Sequence, residues 1–160
     1  MYTVHYVHCR GVKRPLEALV LLLRLAASTL LVSNGIRHWV RFIGDVPLVD
    51  SGFIRLVADG ASVRGLAPQS SALEGIARSI LRRGKWPGLQ LSRSDSYMGC
   101  TDCTPLTDFL KGHGGCPICI CVREDDALKA KFKPWWLLAA LMVVHDERCW
   151  CRGGSGGDSN

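Results

Sequence analysis

The sequence predicts a single α/β domain, and three observations support this fold class. The chain has 160 residues, enough for one domain with a buried core. Apolar residues make up 48% of it and charged residues 21%, as in globular proteins. Short β-branched or aromatic runs alternate with runs of helical spacing, which is typical of α/β sheets. We predict the domain at residues 15–145, an N-terminal segment at 1–14 and a flexible tail at 152–160.

The first helix is predicted in the apolar stretch 15–33, with Asn34 and Gly35 as its stop. Glu17, Arg24 and Ser28 share one face of this helix, and leucines and valines fill most of the rest. A signal peptide or membrane anchor is the alternative, because basic residues precede the stretch. A charge in mid-membrane costs about 2.5–3.5 kcal/mol. We therefore favour a half-buried core helix, no membrane partner and a cytoplasmic location.

Strand signals follow this helix. Residues 36–43 are β-branched and aromatic, and 45–52 are predicted as a loop. In the segment 53–67, Asp59 and Gly60 separate two apolar-alternating runs, which is the pattern of a hairpin with a type I′ turn. Further strands are predicted at 89–94 and 117–123. Residues 134–144 fit a buried strand, a buried helix, or one followed by the other.

The clearest helix begins near Ser71, which forms a capping-box pattern with Glu74, and ends at Gly84. Its outer face and the residues just past its end are basic: Arg78, Arg82, Arg83 and Lys85. These charges fit either an ordinary solvated face or a patch that contacts phosphates. The net charge of +6 permits a polyanionic partner.

Shorter helices are predicted towards the C-terminus. Thr104 is placed to cap a helix that begins at Pro105 and runs to residue 111. Residues 127–133 are weakly helical.

The eight cysteines suggest disulfides in a secreted chain or metal ligands in a reducing compartment. Two C-x-x-C pairs, twelve residues apart, have zinc-ribbon spacing: Cys100, Cys103, Cys116 and Cys119. His113, Cys121, Cys149 and Cys151 are close in sequence. Cys119 also alternates with apolar residues in a predicted strand, as buried thiols do. A zinc-stapled interaction module is therefore an alternative, and no metal is the favoured interpretation.

Other catalytic patterns are weak. The sequence has no phosphate-binding loop, dinucleotide fingerprint or hydrolase nucleophile elbow. His145, Asp146 and Cys149 could form a thiol nucleophile with a base, but such groups usually come from distant segments.

Several segments, in serial order from residue 16 to 125, resemble the TrmY-type tRNA pseudouridine N1-methyltransferases of the knotted SPOUT superfamily. LLLR and SNGIRHWV resemble that family's LLCR and SHGIRxDV motifs. IRLVADGASVRGLAPQSSALEGIARSIL resembles its IRFxGxEVRRLxPDERSxAxLIRKAL segment, and PGLQLSR resembles PGIYVxR. The Asp, Glu and Arg of the family's PDERS are absent here, and Ala140 and Leu141 replace its Asp-His.

The resemblance implies a SPOUT-like sheet flanked by helices, with an incomplete or rebuilt C-terminal trefoil knot. It implies methyl transfer from S-adenosylmethionine to N1 of a TΨC-arm pseudouridine in tRNA, with cofactor contacts at Val122 and Ala139. Arg64 would join the basic patch as an RNA-binding residue. Homodimerisation in the family uses the knot region. A non-catalytic RNA-binding remnant of the fold is the alternative, and no catalytic residue is assigned.

Overall fold

A computed structural model describes residues 1–33, 35–50, 52–95, 99–112 and 115–150, without the side chain of Trp150. The predicted tail, Asn34, His113 and Cys151 lie outside these residues. The described chain forms one six-stranded sheet and a separate two-stranded ribbon. The strands are β1 (Tyr2–Val7), β2 (Leu31–Val32), β3 (Gly35–Ile36), β4 (Val40–Pro47), β5 (Phe53–Asp59), β6 (Leu89–Ser94), β7 (Thr104–Pro105) and β8 (Cys119–Arg123).

The six strands lie in the order β6-β5-β4-β1-β8-β7. Strand β1 pairs in parallel with β4 and β8, and β7 pairs in parallel with β8. Strand β5 is antiparallel to both β4 and β6. The α/β prediction is therefore confirmed as a mostly parallel sheet flanked by helices.

Within the described ranges, five α-helices accompany the sheet, and a π-helical turn at Asp146–Trp150 follows the last of them. They are α1 (Pro15–Leu30), α2 (Ser70–Arg83), α3 (Leu106–Leu110), α4 (Glu124–Ala130) and α5 (Pro134–His145). Helix α1 packs on β4 and β5, and α2 and α5 pack on α1. Arg24, which was predicted on the polar face of α1, takes part in this packing, because its guanidinium lies 3.8 Å from the ring centre of Trp135. The core thus lies between α1 and one face of the sheet.

Strand β1 lies in the middle of the sheet, ahead of the predicted domain start at residue 15. Val4 pairs with Phe42 on one side and with Ile120 on the other, and all three are fully buried. The first residues of the chain are therefore part of the core.

The predicted hairpin around Asp59 and Gly60 is wrong. Strand β5 ends at Asp59 and pairs with β4 and β6, and the chain after it turns towards α2. The Asp59 carbonyl accepts the N–H groups of Ser62 and Val63, which closes a tight turn. Gly60 has no positive φ, as a type I′ turn would need. A Cβ there would collide with the Arg37 carbonyl, so close backbone approach explains the glycine.

The predicted start of α2 also needs correction. The helix begins at Ser70 with Gln69 at its N-cap, so Ser71 and Glu74 form no capping box. Glu74 instead accepts a hydrogen bond from Arg78 at 2.7 Å, one turn further along the helix.

Two other element boundaries differ from the prediction. The predicted loop 45–52 begins later, because β4 continues to Pro47. Helix α3 begins at Leu106, since Thr104 and Pro105 form the short strand β7. Thr104 therefore does not cap the helix.

The strand predicted at 36–43 is divided, because β3 ends at Ile36 and β4 begins at Val40. Several other patterns were interpreted correctly or nearly so. Gly84 ends α2 with φ 79°, the left-handed conformation that glycine adopts most easily. The segments 89–94 and 117–123 contain β6 and β8, and 134–144 belongs to a helix. Among the residues described, no helix has both the length and the apolar character that crossing a membrane requires.

Candidate nucleic-acid interface

The sheet face opposite α1 carries an open groove. Residues Arg41, Ile43 and Asp45 lie at alternate positions of β4 and so share this face. Ile43 is partly exposed here, whereas its neighbour Phe42 is fully buried on the helix side. Two adjoining cavities of about 670 and 440 Å³ lie on this face, and both are lined by Arg41 and Ile43. We call the two together the sheet groove.

A buried ion network forms part of the groove. His5 Nε2 lies 2.6 Å from Asp45 Oδ2. Arg55 donates to both oxygens of the same carboxylate, from Nε at 2.6 Å and from Nη2 at 2.8 Å. Such bidentate, charge-assisted contacts are among the stronger hydrogen bonds in proteins. The network therefore holds three neighbouring strands, β1, β4 and β5, through their side chains.

The network also changes the acidity of its members. Burial raises the pKa of Asp45, but hydrogen bonds from Arg55 and His5 lower it more, so the pKa lies below its ordinary value. The hydrogen bond to Asp45 raises the pKa of Arg55. Asp45 is thus an ion whose charge Arg55 neutralises, so the remaining charges of the groove lining are those of Arg41, Lys85 and Asp59.

Stability should fall in acid because of this carboxylate. The Asp45 pKa is lower in the folded than in the unfolded chain, so its stabilisation is complete above about pH 4 and is lost as pH falls through the folded pKa. We expect urea unfolding to show a loss of free energy of unfolding between about pH 5 and pH 3. Asp45→Asn should be less stable at neutral pH and show a shallower loss. An equally steep loss in the variant would contradict this assignment.

The rim of the groove is formed by Lys85 and Trp86, just after α2. The Trp86 indole N–H donates to the Arg64 carbonyl at 2.7 Å, which fixes the orientation of the ring. Asp59 also lines the groove, and its carboxylate accepts the N–H of Ala61. The groove thus combines cations on its floor and rim with an oriented aromatic ring.

The predicted basic patch is only partly gathered at this rim. Lys85 lines the groove, and Lys85 and Arg83 line a neighbouring cavity of about 470 Å³. Arg78 is paired with Glu74, as the solvated-face interpretation expects. Arg82 and Arg64 have exposed side chains, and Arg64 contributes its carbonyl to the position of Trp86.

The two predicted cofactor contacts do not share a surface. Val122 is a fully buried residue of β8 that pairs with Tyr6. Ala139 lies in the middle of α5 with an exposed side chain, where backbone groups are engaged in the helix. Neither residue lines the cavities described in this section. The cofactor contacts at Val122 and Ala139 therefore stay a prediction.

The predicted zinc ligands are paired as disulfides. Cys100 is bonded to Cys121, and Cys103 to Cys119. Cys116 is bonded to Cys149, which also removes Cys149 as a nucleophile. The described residues contain no group of three or more His, Cys, Asp or Glu side chains placed to hold a metal. The zinc-stapled module is therefore not supported.

The disulfides also bear on the cellular compartment in which the protein is located. Two of them hold the segment around Cys100 and Cys103 against β8, beside the groove. Disulfides are rare in the reducing cytosol. The cytoplasmic location therefore stays a prediction, and these pairs weigh against it.

A second concave site lies where β1 and β8 end. A crevice of about 450 Å³ contains His8, which follows β1, and Glu124, which follows β8. Strand β1 has β4 on its other side, so the order of strands reverses here. Ligands of open α/β sheets bind outside the carboxyl ends of strands at such a point. We call this site the carboxyl-edge crevice.

Glu124 fastens the two strand ends together beneath this crevice. Its Oε1 accepts the backbone N–H groups of Cys9 and Arg10, each at 3.0 Å. Its Oε2 accepts from the Arg10 side chain at 3.0 Å and lies 3.3 Å from His8 Nε2. Burial raises the pKa of Glu124, but the Arg10 and Cys9 amides and the charge of His8 lower it more. The carboxylate is therefore ionised and fully engaged within the chain.

No protein-family model matches this chain, and no curated protein matches it. The two sites therefore rest on their geometry alone. Sequence reasoning did not identify His5, Arg41, Asp45 and Arg55 as site residues. Their alternation with buried neighbours in β1, β4 and β5 was the available signal, since residues two apart share a face of a strand.

Proposed function

We propose that the chain is a non-catalytic RNA-binding protein that holds tRNA across the sheet groove. The observation that carries this proposal is the continuity between the groove and the basic end of α2. Arg41 lies on the groove floor and Lys85 on its rim, and Lys85 adjoins Arg83 in the next cavity. Cations that line a groove can follow a phosphate backbone.

Trp86 supplies the second element of such a site. Base–aromatic stacking contributes about 1–3 kcal/mol per base and tolerates any sequence. The indole of Trp86 is oriented by its hydrogen bond to Arg64 and lies between the two basic cavities. A single-stranded or loop region could therefore stack a base there while Arg41 and Lys85 contact the flanking phosphates.

Salt-dependent binding tests this proposal. We expect tRNA to bind in gel shifts over a potassium chloride series, with log affinity falling linearly with log salt. The double variant Arg41→Gln, Lys85→Gln should bind roughly thirtyfold more weakly, because it removes two phosphate interactions of about 1 kcal/mol each. The slope of its salt dependence should be shallower by roughly one for each phosphate that the variant no longer neutralises.

Lys111→Gln is the matched control, because Lys111 is exposed and is not among the lining residues of the groove. It also removes a positive charge, so it measures the effect of net charge alone. If the double variant binds tRNA as the control does, the groove is not the RNA surface. If no salt-dependent tRNA binding is seen, the function itself is excluded.

Methyl transfer is the second candidate function. The resemblance to TrmY-type enzymes supports it, and a SPOUT-like fold and a homodimer would follow from the same resemblance. The carboxyl-edge crevice also lies where α/β sheets bind ligands. The positions of Val122 and Ala139 count against it. Calorimetric titration with S-adenosylmethionine, with and without tRNA, decides: absence of heat at millimolar cofactor would exclude the enzyme while leaving RNA binding untouched.

A further inference from the structure

We propose that the carboxyl-edge crevice binds a nucleoside 5′-phosphate. This site is separate from the sheet groove and does not depend on the proposed RNA binding. Its volume of about 450 Å³ is within the range of small-molecule pockets, roughly 300–1,000 Å³. The proposal rests on three features of its lining: exposed rings, uncompensated cations and a strained lysine.

The first feature is a group of large apolar side chains left in solvent. Leu128, Phe132 and Trp136 are 55%, 46% and 59% exposed, and all three line the crevice. Exposed apolar groups that are gathered in one concavity indicate a binding site, whereas scattered ones do not. The rings of Phe132 and Trp136 provide flat surfaces on which a heterocyclic base can stack.

The second feature is the charge of the lining. Lys131 and Lys133 both line the crevice with exposed side chains. The only acidic residue among the described lining residues is Glu124, whose oxygens already accept from Cys9 and Arg10. The lysines therefore lack a carboxylate partner in the crevice, and the net field favours an anion.

Phosphate suits this field better than a sulfonium group does. A lysine ammonium binds phosphate as a point charge, and Lys131 and Lys133 approach the crevice from the same turn between α4 and α5. The sulfonium of S-adenosylmethionine would face the same cations and be repelled. The lining thus selects an aromatic anion.

The third feature is the backbone at Lys131, which has φ 58° at the end of α4. Among the described residues other than glycine, only Asp102 shares a positive φ. Glycine is the usual residue at such a helix end, because a side chain is strained there. The strained turn places Lys131 and Phe132 at the crevice. Glycine would avoid the strain but has no ammonium, so we attribute the lysine at this position to binding of the anion.

Calorimetric titration of the full chain with AMP tests this assignment, with adenosine and S-adenosylmethionine as comparison ligands. We expect saturable AMP binding, at least tenfold weaker binding of adenosine, and no displacement of AMP by S-adenosylmethionine at equal concentration. Failure of AMP to bind at millimolar concentration would overturn the proposal. Equal affinity for AMP and S-adenosylmethionine would do so too, because the cations would then have no effect.

Lys131→Gly separates binding from folding. Glycine removes the ammonium and relaxes the backbone, so the melting temperature should stay the same or rise while AMP affinity falls at least fivefold. Lys129→Ala, an exposed lysine on the same helix and outside the lining, is the control and should bind AMP as the unaltered chain does. Unchanged AMP affinity in Lys131→Gly would refute the role of this lysine.

Discussion

Reduction of the disulfides should cause the largest loss of stability that any simple treatment of this chain can produce. The bonds close loops with sequence separations of 16, 21 and 33 residues. Taken singly, a loop of this size stabilises the chain by about 3–4 kcal/mol through constraint of the unfolded state. The Cys103–Cys119 loop lies within the Cys100–Cys121 loop and therefore adds less. Whole domains are stable by about 5–15 kcal/mol. A urea titration should therefore show that about half of the reduced chain is already unfolded without denaturant.

Thiol counting provides the companion measurement. Six of the eight cysteines are in disulfides, so no more than two should react with a thiol reagent in denaturant without reductant. Cys9 is free and exposed, and Cys9→Ser is therefore a control that should leave stability unchanged. If all eight cysteines react in the unreduced protein, the pairing described above is wrong.

Glu124→Ala should cause one of the larger losses of stability among substitutions of charged residues that the structure describes. Removal of this carboxylate leaves two backbone N–H groups, of Cys9 and Arg10, without their acceptor in a partly buried position. The Arg10 guanidinium is 74% exposed and can be hydrated instead. Hydrogen bonds to a charged group contribute about 1.5–3 kcal/mol each. We expect a corresponding decrease in the free energy of unfolding, measured in urea at neutral pH.

Asp125→Ala is the matched control for this substitution. Asp125 is the next residue of α4 and also carries a negative charge in its first turn, but its side chain is exposed. It should lose only the helix-dipole contribution, about 0.3–1 kcal/mol. Similar losses in the two variants would show that helix electrostatics, and not the link between β1 and β8, explains the effect of Glu124.

Local patterns predicted much of this fold. The helical spacing of 15–33, the glycine at the end of α2 and the apolar runs of β6 and β8 depend on neighbouring residues, so they can be recognised in the sequence. The Asp59-Gly60 turn was misinterpreted because a glycine that permits close backbone approach has the same sequence pattern as a hairpin glycine. Only the contact with Arg37, far along the chain from Gly60, distinguishes the two.

The candidate sites were harder to predict because they are assembled from distant strands. His5, Asp45 and Arg55 meet only after β1, β4 and β5 align. The pairing of the cysteines likewise depends on which loop returns to β8, so the spacing of Cys100 and Cys103 also allowed zinc as the less favoured alternative. Lys85 was identified because its basic neighbours were adjacent in sequence.

The central position of β1 has a consequence for how the chain folds. Its partner β8 begins at Cys119, so the middle of the sheet cannot close until most of the chain is present. Such long-range parallel pairing slows folding, because the entropic cost of closing a long loop is incurred before the stabilising contacts form. During synthesis, β1 would leave the ribosome before β8 and would have one edge unpaired until β8 follows. Refolding should therefore be slow, and fragments that lack residues 119–123 should aggregate rather than fold.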